Sequence, residues 1–321
     1  MRAADSWLWL QDLDSPSEGI DHPIDPVGKR DKRPAVKDLI VDHRRELDEL
    51  RAALLHEPLF KASKHDDLWL LRFLVSHKKK HSAALKAVKS TLEFRLEHKL
   101  DEFDIRHLNM NSNQDTQSIE NVDTRTTHPY TESLKKLFNC CQHDFFLTYL
   151  PDNQRGIINM VQLKQRDQAR MVKELTEEEY FQCHVMIAEW LFQHLDVITR
   201  STGRLTKSLR LSDAAGMHLS MLEKKQKIRE SKAAKRTEFV YPQLLSSVLI
   251  ANAPTWASLV FAMVRPIVPK GLLEKVSLIK PHKHEKDLER ILEHCSRDHL
   301  AVRYGGDLEE WPPRTLVAVS G

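Results

Sequence analysis

The chain has 321 residues, 41% apolar and 30% charged, enough for about two folded units and unlike a fibrous or low-complexity chain. Its 49 Lys and Arg against 46 Asp and Glu leave a net charge of +3, without the dense basic excess of a nucleic-acid binder, so no nucleic-acid partner is expected. No stretch reaches the roughly 18 consecutive apolar residues that span a bilayer, so membrane contact is expected to be peripheral. The start, Met1 to Leu13, carries Trp7 and Trp9 with Arg2 and Asp5 and runs into Gln11, Asp12 and Asp14, and reads as too short and too acidic for a signal peptide. Cys140, Cys141, Cys183 and Cys295 lack paired metal or redox spacing, and a reducing, cytoplasmic setting is the simplest expectation.

Pro16, Gly19, Pro23, Pro26 and Gly28 break any periodicity near the start, so residues 1–34 are expected to be a disordered lead-in. Leu39, Ile40, His43, Leu47, Leu50 and Leu54 recur at three- and four-residue steps and predict a helix from Val36 to about His56, ended by Pro58. Asp66 and Asp67 precede Leu68-Trp69-Leu70-Leu71 and Phe73-Leu74, a short apolar helix with acids at its positive end. After the basic run His77 to His81, a third helix continues to about His98, completing a small helical module over residues 35–108. Residues 109–130 are polar and read as a linker.

Strand patterns then appear at Phe145 to Leu150 and Ile157 to Leu163, joined by a turn at Pro151 to Gly156. Thr176 with Glu179 three residues on is a capping box, and Val185, Ala188, Leu191, Leu195 and Ile198 trace the buried stripe of a helix to Thr199. A strand is predicted over Leu205 to Leu211, a basic helix over Met217 to Thr237, and a central strand over Leu245 to Asn252. An apolar helix from Trp256 to Arg265, a strand over Lys275 to Ile279 and a closing helix over Glu285 to Cys295 follow. Strands alternating with helices predict an α/β sheet with helical cover in residues 131–310, before a tail at 311–321.

Signatures of chemistry are scarce. No glycine-rich nucleotide loop, nucleophile elbow or zinc-binding His-Glu-x-x-His occurs. His282, His284, His294 and His299 are metal-ligand types, but Lys280, Lys283 and Lys286 would repel a cation, so no metal is expected. Asp213 after a strand has no accompanying base or nucleophile, and adjacent Cys183 and His184 point apart on a helix. No cofactor and no enzymatic activity are therefore expected. The apolar segment Ile250, Trp256, Val260, Phe261 and Val264 serves equally as core or as the wall of an apolar cavity. Basic clusters at His77 to Lys80 and Lys270 to Lys286 serve equally as solvated faces or as contacts to phosphate or an anionic membrane.

The order of these segments carries a resemblance. Asp67-Leu68-Trp69-Leu70-Leu71-Arg72-Phe73-Leu74, Tyr241-Pro242, Ile250-Ala251-Asn252-Ala253-Pro254, Arg265-Pro266-Ile267-Val268, Lys275-Val276 and Tyr304-Gly305-Gly306 together resemble the CRAL-TRIO lipid-binding family, and among its members the yeast-type phosphatidylinositol-transfer proteins. The resemblance implies a mixed sheet with helical cover and a movable gate, at Trp256 to Val264 and Pro266 to Leu273, preceded by the small helical module. It also implies one phospholipid or other hydrophobic ligand, carried without covalent chemistry by a cytoplasmic protein that meets membranes transiently. Lys78 and Lys275 match the family's headgroup lysines. Gln243 stands where the family has an acid in Tyr-Pro-Glu, and Asp213-Ala214-Ala215-Gly216 matches its Asp-x-x-Gly. With that acid replaced, the lipid class stays open among inositide, another phospholipid and a non-phospholipid hydrophobe. A scaffold with a closed pocket is the alternative to a transfer protein.

Overall fold

The computed structural model describes residues 32–108, 110, 128–141, 146–149, 156–237, 239–258, 262 and 273–309. Of these, the residues up to Asp104 with Phe192–Thr206 and Thr237–Leu244 form one compact unit, and the remainder form a second. The expected lead-in, the polar linker and the tail fall almost wholly outside the described residues. Among the described residues no helix is long and apolar enough to cross a membrane.

The first unit is helical. Helices α1 (Val36–Asp42), α2 (Arg44–Leu54), α3 (Asp67–Ser76) and α4 (His81–Glu97) bury Leu47, Leu50, Leu54, Leu70, Phe73, Leu74, Ala84 and Val88 together. The helix expected from Val36 to His56 is interrupted at His43, whose φ of −118° leaves the helical region. Hydrogen bonds from His43 N to Leu39 O and from Leu47 N to His43 O still carry the ladder past it, so the interruption is a kink rather than an end. Helix α3 begins as its acids predict: the Asp66 carboxylate accepts from Trp69 N at 2.9 Å, and Asp67 pairs with Arg44 and Arg51.

Arg72 of this buried helix needs an anion, and Asp196 supplies it at 2.9 Å. Arg200 bridges Asp196 at 2.8 Å and Asp66 at 2.6 Å, so two guanidiniums and two carboxylates form one network. Phe192 lies 5.0 Å from the Arg72 guanidinium and adds a cation–π contact.

The second unit is built on five strands, β1 (Phe146–Tyr149), β2 (Ile158–Gln162), β3 (Ser208–Asp213), β4 (Leu245–Ala251) and β5 (Val276–Ile279), lying side by side in chain order. Strand β1 runs antiparallel to β2, and β2 to β5 are parallel, giving the mixed sheet. Parallel neighbours need crossovers: α6 (Gln168–Glu174) and α7 (Glu177–Thr202) lie between β2 and β3, and α8 (Lys224–Thr237) between β3 and β4; α5 (Thr131–Asn139) precedes the sheet and α9 (Glu285–Leu292) follows it.

The capping box forms in both directions, Thr176 N to Glu179 Oε2 at 2.8 Å and Glu179 N to Thr176 Oγ1 at 3.1 Å, and α7 runs three residues beyond its expected end before Gly203 turns the chain. Strand β3 starts later than Leu205 because Leu205 N and Thr206 N are bonded to Pro34 O and Thr199 Oγ1. Helix α8 starts at Lys224 rather than Met217 because the Gln168 side chain takes the Glu223 N–H at 3.0 Å.

Removing the anion from the first unit's network leaves Arg72 buried without its partner. Asp196→Asn is expected to lower unfolding free energy by about 3–5 kcal/mol in urea titration. Burial opposes ionisation of Asp196, but Arg72 and Arg200 outweigh it and hold the carboxyl below its ordinary value. A depressed folded pKa contributes stability that is present above the unfolded value, about 3.9, and lost as pH falls through the folded one. Urea midpoints of the parent should therefore fall below about pH 4 more steeply than those of Asp196→Asn.

Candidate functional site

Alternation along parallel strands gives the sheet two faces with separate tasks. Ile158, Met160, Leu209, Leu211, Leu249, Ala251 and Ile279 point to one face, where they pack with Leu288, Ile291, Cys295, Leu300 and Tyr304. This face is closed. At its end the Asp213 carboxylate accepts from Tyr304 OH at 2.7 Å, Asn252 Nδ2 at 3.2 Å and Ala215 N at 2.9 Å. The Asp-x-x-Gly, Asn-Ala-Pro and Tyr-Gly-Gly segments thus meet on one side chain. Asn252 takes a left-handed φ of +54°, which asparagine tolerates, and Gly306 packs so closely that a Cβ there would overlap the Leu300 carbonyl.

The opposite face is formed by two rows across the sheet, set by the strand register. Asn159, Arg210, Val248 and Val276 make the first; Val161, Ser212, Ile250 and Leu278 make the second. Both rows are buried at β2 and open toward β5: Ile250 on β4 and Val276 on β5 are half-buried, and Leu278 is 40% exposed. The first row changes from polar Asn159 and Arg210 to apolar Val248 and Val276, while the second holds Ser212 among apolar Val161, Ile250 and Leu278.

Helices α7 and α8 bring Tyr180, His184 and Glu230 into electrostatic range of Arg210. Burial drops the His184 pKa to about 4, with Arg210 pushing the same way, so the imidazole is neutral at pH 7. Burial works against the charge on Glu230, but Arg166 pairs with it and brings its pKa down to about 2. Burial also lowers the pKa of Arg210, although its side chain keeps accessible surface.

Lys275 stands at the other end of the sheet from Asp213. It precedes β5, and its Nζ donates to Leu245 O at 2.7 Å beside the start of β4. Burial lowers its pKa, and the same desolvation, with repulsion from Lys275, lowers that of Lys207 at the start of β3. Asp213 and Asn252 lie at the carboxyl ends, roughly 20 Å away along a seven-residue strand. A cleft of about 340 Å³ at those carboxyl ends is lined by Gln162, Lys164, Asp213, Gly216, Asn252 and Arg303.

Lys78 and Gln243 belong to the helical unit. Lys78 N bonds Val75 O and Lys79 N bonds Leu74 O, the pairing of a Schellman helix end, with Lys78 at φ +51° where glycine is favoured. Gln243, also left-handed, donates from Nε2 to Ser76 Oγ at 2.8 Å. Ile250 lies on the open face and Trp256 is half-buried. Val260, Phe261 and Val264 lie outside the described residues. Sequence reasoning did not single out Arg210, Asn159 or Lys207 for ligand contact. The signal was present in Leu209-Arg210-Leu211, a charged residue alternating with leucines within a strand.

The family model for the CRAL/TRIO domain matches residues 142–306, just over half of the chain. Among solved structures, one titled as the crystal structure of Sfh5 matches with 13% identity and a TM-score of 0.42, covering 77% of this chain and 79% of that one. No curated protein sequence matches this chain.

The closed face yields two expectations. Tyr304→Phe should lower stability by about 1–3 kcal/mol, because the buried Asp213 carboxylate loses a donor. Gly306→Ala should reduce soluble yield and melting temperature more severely, since backbone rather than a flexible side chain blocks the new methyl. Thermal melts of both variants beside the parent test the order.

Proposed function

From the premise that this chain belongs to the CRAL/TRIO family of lipid-binding domains, we propose that it binds one phospholipid, phosphatidylinositol foremost, against the open face of its sheet and transfers it between membranes. The observation that carries the reading is the division of labour between the two faces. One is filled by its own core, while Ile250, Val276 and Leu278 leave the other apolar and incompletely covered. Burying an acyl chain there contributes about 0.8 kcal/mol per CH₂, sufficient for retention without covalent chemistry.

In this reading Ile250 and Trp256, with Val260, Phe261 and Val264, wall the acyl chains. Lys275 meets the headgroup phosphate, and Lys207 beside it adds a second positive charge at the amino ends of the strands. For Lys78 and Gln243, which belong to the helical unit, the headgroup role is proposed from the family pattern alone. Asp213 supports the sheet from behind through its three donors. The domain limits at residues 35–108 and 131–310, transient membrane docking and a cytoplasmic setting belong to the same proposal.

Native mass spectrometry of the purified chain, followed by organic extraction, tests it: a stoichiometric phospholipid is the expected result. A lipid-free protein that takes up none from phosphatidylinositol-containing liposomes would overturn it in favour of a scaffold with a closed pocket. Lys275→Ala should slow phosphatidylinositol transfer between vesicles about tenfold with circular dichroism unchanged, as loss of one charge-assisted contact predicts.

A further inference from the structure

The cleft at the carboxyl ends of β2, β3 and β4 lies apart from the surface that the lipid reading uses. Its volume, about 340 Å³, falls at the lower end of the roughly 300–1,000 Å³ of small-molecule sites. Gln162 and Asp213 end strands in which Met160 and Leu211, two residues earlier, enter the core, so alternation sets both on the side of the filled face. Two cations flank the cleft. The Lys164 stem lies on the Gly216 turn, where a Cβ would come within 2.9 Å of its Cδ, so the missing side chain is what admits the lysine. Arg303 holds its guanidinium 5.2 Å from the centre of the Tyr304 ring. Both cations are exposed, and neither pairs with a carboxylate among the described residues. The acid of the lining, Asp213, is already engaged on both oxygens: Oδ1 accepts from Ala215 N and Asn252 Nδ2, and Oδ2 from Tyr304 OH.

We propose that this cleft is a second binding site, for a phosphate monoester, with Lys164 and Arg303 engaging different oxygens of the phosphate. The two cations outnumber the one carboxylate, whose lone pairs are directed at its own three donors, so the net charge left over calls for an anion rather than a metal cation. The cations come from separate segments, one just after β2 and the other after α9, and so meet a tetrahedral group from two sides. Gln162 and Gln165 supply amides for hydroxyl groups on the esterified part. Crevices outside the carboxyl ends of parallel strands are also where open α/β sheets take up ligands. The site stands at the opposite end of the strands from Lys207 and Lys275, so it is independent of the headgroup contacts proposed above.

A phosphate monoester can reach the cleft from solution or on a lipid, and two arms with the full chain separate these sources. Titration calorimetry compares glycerol 3-phosphate with glycerol, and vesicle flotation compares phosphatidylcholine with and without phosphatidate. On at least one arm the monoester should bind about tenfold or more tighter than its counterpart, and the advantage should shrink as salt rises, because both cations are exposed. Lys164→Gln should cut that advantage severalfold, and Lys164→Gln combined with Arg303→Gln should cut it further, with the melting temperature near the parent's. A loss on the glycerol 3-phosphate arm identifies a soluble ester, a loss on the phosphatidate arm a headgroup, and either supports the site. A double variant that matches the parent on both arms, whether by binding equally or because neither binds, overturns it. Should the double variant fail to fold, the exposed Lys164→Gln alone decides by the same criterion.

Discussion

The hydrogen bonds to the Asp213 carboxylate are the constraint on which the sheet unit depends. They draw together the turn after β3, the chain leaving β4 and the Tyr304 segment that follows α9. Asp213 alternates with Leu209 and Leu211, so this junction lies on the same face as the apolar core it secures. With Tyr304 locked beneath it, that face is committed to packing. A slip of one residue in any strand would exchange the faces and expose the core, so the register is firmly determined.

The other face is consequently free to be chemically uneven. Its buried end at β2 and β3 holds a guanidinium, an amide and a hydroxyl, while its open end at β4 and β5 is aliphatic. Low effective dielectric strengthens charge interactions at the buried end, and removal of apolar area from water rewards contact at the open end. The paired lysines at the amino ends of β3 and β5 extend positive potential toward the same side of the sheet's length, away from Asp213.

The helical unit solves a different problem. Helix α3 is apolar almost all round, yet carries Arg72 in its middle, and Asp196 with Arg200 and Asp66 neutralises it. Such a network adds less to stability than an apolar core would, but it penalises any arrangement in which Arg72 lacks Asp196. The basic turn that follows is fixed by backbone bonds at Lys78 and Lys79 and by the Ser76–Gln243 contact.

Much of this was legible in the residues. Asp66 and the Thr176–Glu179 box set helix starts through local bonds, and two-residue alternation marked the strands, because both effects act within a few positions. Helix and strand limits shifted where a distant group took a backbone N–H, as Gln168 does from Glu223 and Pro34 from Leu205. Arg210 shows the same limit: in one dimension it is a charged residue between leucines, and nothing local says how far it is buried. The sequence by itself determined the periodicities, the caps and the ordered motifs of the family. Only the tertiary structure decided which sheet face is filled and which stays open, because that depends on partners as far apart in the chain as Asp213 and Tyr304, brought together by packing rather than by neighbourhood.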